Sequence, residues 1–329
     1  MKLVKDKKII AFHILDILTK YTDENHLMNY LEIIKKLDLI YGESPDIKTI
    51  ASNIGTLIDA GYQIIKCGNR GCYLAERNFE DGELMYLVDA INSSNSIPAK
   101  QAKELIDKLT KSCSEYQKTK YKATNKIDLV SKSKNKEIFY IIEILNEAIE
   151  KGKKVSFCYN EYKVSKELTP RFKGKEFKIN PYFLVNSRGK YYLVCNYDKY
   201  NNIANYKIDF ISNIKLLNET IKPMKELNDN ENFSKEKYIK EHIYMTIGKS
   251  IAATLKLDEP KYLGDVIDWF GDDISVIENN DGTLKVELKA NEQALIYWAM
   301  QYGKHIEVLT PNETREKIKS TLSEIIKKY

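Results

Sequence analysis

Between Asn180 and Ile214 the chain reads NPYFLVNSRGKYYLVCNYDKYNNIANYKIDFISNI. Two apolar, aromatic-rich segments, Pro181 to Asn186 and Lys190 to Tyr197, flank a short Ser187-Arg188-Gly189 turn, and a third segment follows Asp198 to Ala204. Bulky and polar residues alternate, and Gly and Asn break the runs. This pattern predicts a small antiparallel sheet in the middle of the chain. The two flanks must then fold as units of their own.

A length of 329 residues suits two or three domains. With 43% hydrophobic and 30% charged residues the composition is that of an ordinary globular protein. No apolar run approaches the roughly 20 residues needed to span a bilayer. The start, Met1 to Lys8, is charged and runs into an amphipathic helix, without the apolar core and cleavage site of a signal peptide. The expectation is a cytoplasmic chain with no membrane partner. Five cysteines, Cys67, Cys72, Cys113, Cys158 and Cys195, are odd in number and dispersed, which argues against a disulfide framework. Cys67 and Cys72 have no second pair and no nearby His, so no metal site is expected. The net charge of +5 permits nucleic-acid binding without demanding it. Between Lys111 and Lys136, eight lysines stand against only Glu115 and Asp128. Such a run is either a phosphate-attracting linker or a solvated connector.

The N-terminal flank has helical periodicity in three stretches. Ile9, Ile10, Phe12, Ile14, Leu15, Ile17 and Leu18 mark the first, and Leu31, Ile34 and Leu37 the second, from about Leu27 to Leu39. The third runs from Asp46 to Ala60, with Ile47, Ile50, Ile54, Leu57 and Ile58 inward, Ser44 as cap and Pro45 in the first position. A hairpin follows, Tyr62 to Lys66 and Cys72 to Leu74. Three helices and a hairpin describe a winged helix-turn-helix, whose third helix enters the major groove. Residues 79–130 read as helical, with helices at Glu80 to Ile91 and Pro98 to Leu109. Their apolar faces include Leu84, Leu87 and Val88, and Leu105, Ile106 and Leu109. An amphipathic helix, Asn135 to Glu150, leads into a strand at Lys153 to Tyr159. After the polar stretch Asn228 to Asn232, the last hundred residues read strand, helix, strand, an Asn280-Asp281-Gly282 turn, strand, helix, strand and a closing helix. The order βαββαβ predicts a ferredoxin-like fold.

Tyr191-Tyr192-Leu193, the upstream Asn180-Pro181-Tyr182 and the downstream Tyr206-Lys207-Ile208-Asp209 together resemble the WYL domain, an Sm-like or SH3-like β-barrel of bacterial transcriptional regulators. The family's Trp-Tyr-Leu stands here as Tyr191-Tyr192-Leu193. The words around Ile47 to Ile54, Ala60 to Ile64 and Gly71-Cys72-Tyr73-Leu74 resemble the recognition helix and wing of the same regulators, and the last hundred residues resemble their C-terminal extension, the WCX domain. The resemblance implies an α+β multidomain chain: a winged helix-turn-helix at 1–78, a helical connector with the basic linker at 79–135, a ligand-sensing WYL domain at 136–225 and a ferredoxin-like extension at 235–329. A single winged domain covers one half-site, so a homodimer is expected, with the helical connector and the C-terminal ferredoxin-like unit as its contacts.

Two sets of site residues follow. On the third helix, Lys48, Thr49, Ser52 and Asn53 are expected to face double-stranded operator DNA, Asn53 towards adenine and Ser52 or Thr49 towards phosphates, with Lys66 and Arg70 of the wing adding backbone contacts. On the barrel, Tyr159, Arg171, Lys175, Tyr182, Tyr192, Lys207 and Asp209 mix aromatic faces with charge, the chemistry that a nucleotide or single-stranded nucleic-acid effector needs. The same tyrosines also suit simple core packing, Tyr192 above all. Where the family has Arg after its last Asp, this chain has Phe210. No catalytic set emerges. The four histidines, His13, His26, His242 and His305, are scattered, and there is no G-x-S-x-G, Walker loop or H-E-x-x-H. A non-enzymatic regulator without cofactor is therefore expected. The alternative is an accessory protein that binds a ligand or nucleic acid and whose winged domain contacts protein, since the third helix carries only Lys48 beside Asp46 and Asp59.

Overall fold

The computed structural model describes residues 9–124, 132–227 and 233–329. The start of the chain, Lys126 and Asp128 of the basic run, and the Asn228 to Asn232 stretch lie outside the described residues. Helices precede multistranded antiparallel sheets, an α+β chain. It divides into two units, Met1–Lys132 and Ser133–Tyr329.

The first unit opens with α1 (Ile9–Tyr21), α2 (Tyr30–Tyr41) and α3 (Ile47–Asp59), followed by the hairpin of β1 (Ile64–Lys66) and β2 (Cys72–Leu74). Capping chemistry sets the helix starts. Asn29 accepts from Glu32 N at 3.0 Å and Glu32 accepts from Asn29 N at 2.7 Å, a reciprocal box that starts α2 three residues later than its apolar pattern suggests. Its end falls on Gly42 at φ 62°, a left-handed position that glycine tolerates. At α3 the cap is Asp46, which accepts from Thr49 N at 2.6 Å. Ser44, the expected cap, instead donates to Asp38 at 2.7 Å, so Pro45 stands outside the helix. The core joins Ile14, Ile17 and Leu18 to Ile33, Leu37, Ile50, Ile54 and Leu57 and closes on Ile64, Cys72 and Leu74. Ile47 and Ile58, expected inside, are 49% and 37% exposed, because they sit at the two ends of α3 beyond the reach of α1 and α2.

Met28 extends the hairpin by pairing with Cys72 at 3.0 and 2.9 Å. The approach is so close that only Gly fits at position 71. Its φ is 113°, and a Cβ there would overlap the Met28 carbonyl. Then come α4 (Asp81–Ser93), α5 (Ala99–Leu109) and α6 (Glu115–Thr124). Leu84, Val88 and Cys113 form their own small core with Ile106 and Leu109. Leu87 lies outside it and is exposed.

The second unit begins with α7 (Ile138–Glu150), then β3 (Lys153–Tyr162), β4 (Leu168–Pro170), β5 (Glu176–Ser187), β6 (Lys190–Tyr197), β7 (Ile203–Lys207) and β8 (Ile211–Thr220). The antiparallel order is β4-β3-β5-β6-β7, with β8 on β3. Ile138, Ile141, Leu145 and Ala148 of α7 cover Val155, Phe157, Ile179 and Leu193. Each large aliphatic side chain so buried contributes about 1.5–3 kcal/mol relative to exposure. The β5–β6 turn uses Arg188 and Gly189 at φ 50° and 74°. A short helix, α8 (Lys235–Glu241), leads to β9 (Ser250–Leu257), α9 (Leu263–Phe270), β10 (Ser275–Glu278), β11 (Leu284–Asn291), α10 (Glu292–Tyr302), β12 (Ile306–Thr310) and α11 (Asn312–Ile326). These strands form an antiparallel sheet in the order β10-β11-β9-β12. Trp298 is fully buried in their core among Leu255, Val266 and Val286.

Candidate functional site

In the first unit, Lys48 and Ser52 lie exposed on α3, while Thr49 and Asn53 are half-buried. Residues four apart share a helix face, so Lys48 and Ser52 stand together. The Asn53 amide donates to Thr49 O at 2.8 Å, which leaves its Oδ1 as the free end. A two-bond contact to adenine would use Oδ1 and the second N–H of the same amide nitrogen. Asp46 accepts backbone and hydroxyl hydrogen bonds from Thr49, which lower its carboxyl below its ordinary range and keep a negative charge at the helix start. Lys66 and Arg70 are exposed on the hairpin, whose turn is closed by Cys67 N donating to Gly71 O at 2.8 Å.

In the second unit a cleft of about 480 Å³ gathers Tyr159, Tyr192 and Lys207 with Lys190, Arg188 and Asn205, and is bounded by Ile243 to Thr246. The sheet explains the grouping. Tyr192 lies opposite Lys207 in the β6–β7 ladder, and Lys190 and Asn205 are two residues along on the same face. Lys207 N donates to the Tyr159 hydroxyl at 3.3 Å. Burial pushes the Tyr159 and Tyr192 hydroxyls above the usual phenol range, and nearby Asp209 pushes in the same direction. Burial lowers the Lys207 ammonium, and neighbouring Lys190 lowers it further. Asp209 does not line the cleft but is close enough to act on Tyr159, Tyr192 and Lys207. Its Oδ1 is buried without a hydrogen bond, and burial raises its carboxyl above the ordinary range despite Lys207 and Lys190. Arg188 lies over the Trp269 ring at 3.4 Å and donates to Asp268 O at 2.9 Å, which holds its fork at the cleft edge.

The other expected ligand residues lie elsewhere. The Tyr182 hydroxyl donates to Lys222 O at 2.9 Å. Arg171 pairs with Glu161 at 3.3 Å, and Lys175 lies 5.8 Å from the Phe177 ring, both on the exposed connection between β4 and β5. Phe210, where the resemblance expects Arg, packs edge-on against Tyr159 and Tyr162 at 5.8 and 5.6 Å, and the Lys207 ammonium lies 5.6 Å from its ring. Sequence reasoning missed Lys190 and Asn205, which period-two alternation from Tyr192 and Lys207 would have found. It also missed Ile243 to Thr246, for which no local signal exists.

Residues 140–216 match the WYL domain family and residues 249–326 match the WCX domain family. The uncharacterized HTH-type transcriptional regulator YobV of Bacillus subtilis (strain 168) is 24% identical over 300 residues, covering 86% of this chain and 90% of YobV. Among solved structures, Proteasome accessory factor B/C (PafBC) of Arthrobacter aurescens aligns over 97% of this chain and 48% of its own, at 15% identity and a TM-score of 0.29. The present chain thus spans about half the length of that structure. A CRISPR Cas-related protein aligns over 98% of this chain and 84% of its own, at 16% identity and a TM-score of 0.38. The chain therefore carries a WYL domain with a WCX domain behind it.

Proposed function

We propose that this chain is a homodimeric, sequence-specific DNA-binding transcriptional regulator whose WYL cleft senses a nucleotide or short nucleic acid. The observation that carries the sensing half is the convergence of Lys190, Lys207 and Arg188 with Tyr159 and Tyr192 on one cleft. Aromatic faces suit bases and the cations suit phosphates. The DNA-binding half is supported by a three-helix core with an adjoining hairpin that leaves Lys48, Ser52, Lys66 and Arg70 exposed, and by the regulator name that YobV carries. We take residues 1–78 as a winged helix-turn-helix, 79–135 as connector, 136–225 as an Sm-like WYL barrel and 235–329 as a ferredoxin-like extension. The βαββαβ order with sheet order β10-β11-β9-β12 supports the last of these. Two winged domains related by a two-fold axis would read paired half-sites.

The test is fluorescence anisotropy with DNA from upstream of the chain's own gene, over a salt series, with and without mono-, di- and oligonucleotides. Specific binding that falls steeply with salt and shifts with one nucleotide class is the expected result. Absence of binding to any DNA would defeat the reading. It would favour the accessory-protein alternative, to which the exposed Ile47 beside Lys48 lends some support.

A further inference from the structure

A second cleft, of about 570 Å³, opens between the Asn201–Ile203 approach to β7, α8, and the Ile247–Ser250 entry to β9. Tyr238, His242 and Ile203 give it an apolar and aromatic wall, with His242 stacked on Tyr238 at 3.9 Å. Three ammonium groups line it: Lys237, Lys249 and Lys289. Lys289 is balanced by Glu241 at 3.2 Å. Among the described residues neither Lys237 nor Lys249 forms a direct ion pair, though Lys249 joins Lys317 and Thr314 in holding the Glu292 carboxyl below its ordinary range.

An uncommitted donor is buried next to this cluster. Asn291 is fully buried, and in the β9–β11 ladder it lies opposite Ser250, which lines the cleft. Its Oδ1 accepts from Ala294 N at 3.0 Å and from the Thr246 hydroxyl at 2.8 Å. Its Nδ2 has no partner. Gly248, also in the cleft wall, has no side chain and a φ of 139°, and a Cβ there would stand 3.3 Å from that Nδ2. A buried amide donor without an acceptor is an unfavourable arrangement in a folded protein and calls for an explanation.

Two ammonium groups outside any direct ion pair and an unpaired amide donor share one complement, an acceptor that carries negative charge. We propose that this cleft binds a compact phosphate-bearing anion, with its oxygens on Lys237 and Lys249 and one of them reaching the Asn291 amide past Gly248. Lysine serves such a ligand as a point charge and needs no planar geometry. The site is separate from the cleft of Tyr159 and Lys207 but shares a wall with it. The Tyr238 hydroxyl donates to Asn205 Oδ1 at 3.0 Å, and Asn205 Nδ2 donates to Met245 O at 2.9 Å, both Asn205 and Met245 lining the first cleft. An anion beside Tyr238 therefore bears on the wall that the sensing cleft uses.

The proposal stands apart from the DNA-binding reading and is tested without DNA. Inorganic pyrophosphate is titrated calorimetrically into the full chain at fixed ionic strength. The expected result is saturable binding that weakens roughly tenfold or more in a Lys237→Ala, Lys249→Ala double variant, about 1.4 kcal/mol or more. The same affinity is expected in a Lys225→Ala, Lys304→Ala double variant, whose exposed lysines line neither cleft. All four lysines reach the surface, so both variants should fold, which circular dichroism checks. No saturable binding, wild-type affinity in the first variant, or a loss confined to the second would each overturn the proposal.

Discussion

The ring of His26 lies flat on the ring of Tyr116, with centroids 3.5 Å and planes 4° apart. It ties α6 to the turn between α1 and α2. The same turn holds Asp23, whose carboxylate meets His26 Nδ1 at 2.7 Å and accepts from the Ser114 hydroxyl at 3.4 Å. Two residues beyond His26, Met28 pairs with β2. The helix that ends the described part of the first unit is thereby joined to the hairpin. Replacing Tyr116 by Leu keeps apolar bulk and removes the stack. A loss of about 0.5–1.5 kcal/mol is expected from the aromatic pair. Urea denaturation reads it, and faster amide exchange in α6 and at Met28 should accompany it. Unchanged exchange at Met28 would show that the stack does not reach the hairpin.

Gly71→Ala is expected to damage the first unit more than any surface change. The left-handed φ alone disfavours a side chain, and the new Cβ would overlap the Met28 carbonyl, which is backbone and cannot rotate aside. Strain of about 1–3 kcal/mol is the minimum. A Gly68→Ala control, also at positive φ but in open space, should cost less. Thermal unfolding of the two variants side by side decides the point, and equal midpoints would contradict the geometry.

Much of this architecture was legible in the sequence because its strongest signals are local. The strand expected at Ser250 to Leu257 is β9 to the residue, where Ala253, Leu255 and Leu257 are buried at every second position. Helix starts were less legible. Ser44, Pro45 and Asp46 all carry start chemistry, and only the backbone path decides that Asp46 accepts from Thr49 while Ser44 turns to Asp38. Ile47 and Ile58 fit the apolar face by spacing, yet a face has ends, and nothing in the spacing says where α1 and α2 stop. Of the seven residues expected around the barrel ligand, Tyr159, Tyr192 and Lys207 meet in one cleft. Tyr182, Lys175 and Arg171 carry the same chemistry but point to other partners, which only the fold of β3 to β5 determines. Met245 joins the cleft from a distant stretch of chain, a contact that no local pattern encodes.

Asp209 gives a pH prediction with a definite sign. Burial raises its carboxyl in the folded chain, so the folded state holds that proton more tightly than the unfolded state. Its contribution is most favourable below the ordinary Asp pKa of about 3.9. Stability is then lost as pH rises through the window from there to the raised folded value. Asp209→Asn removes the ionisation. The variant should be more stable than the parent at neutral pH, and the gain should shrink as pH falls towards 4. Denaturation midpoints from pH 4 to pH 8 measure this. A gain that stays constant across the range, or a loss at pH 7, would show that the carboxylate is better solvated than its orphan Oδ1 implies.

On the proposed operator, the exposed cations should separate by role. Lys66 and Arg70 lie on the hairpin and Lys48 at the start of α3, all open to solvent. A lysine on a phosphate weakens binding to all sequences alike and lowers the salt slope by about one per contact. Lys66→Ala is therefore expected to weaken specific and random DNA by the same factor, with a shallower salt dependence. Asn53→Ala should behave differently. Its free Oδ1 can meet a base edge, and one good base contact discriminates by about 1–3 kcal/mol. The variant should lose affinity for the operator and keep its affinity for random DNA. Anisotropy titrations of both variants on both DNAs, at two or more salt concentrations, give the answer. Asn53→Ala losing affinity equally on both DNAs would move Asn53 from base reading to the backbone, and no loss on either would remove it from the interface.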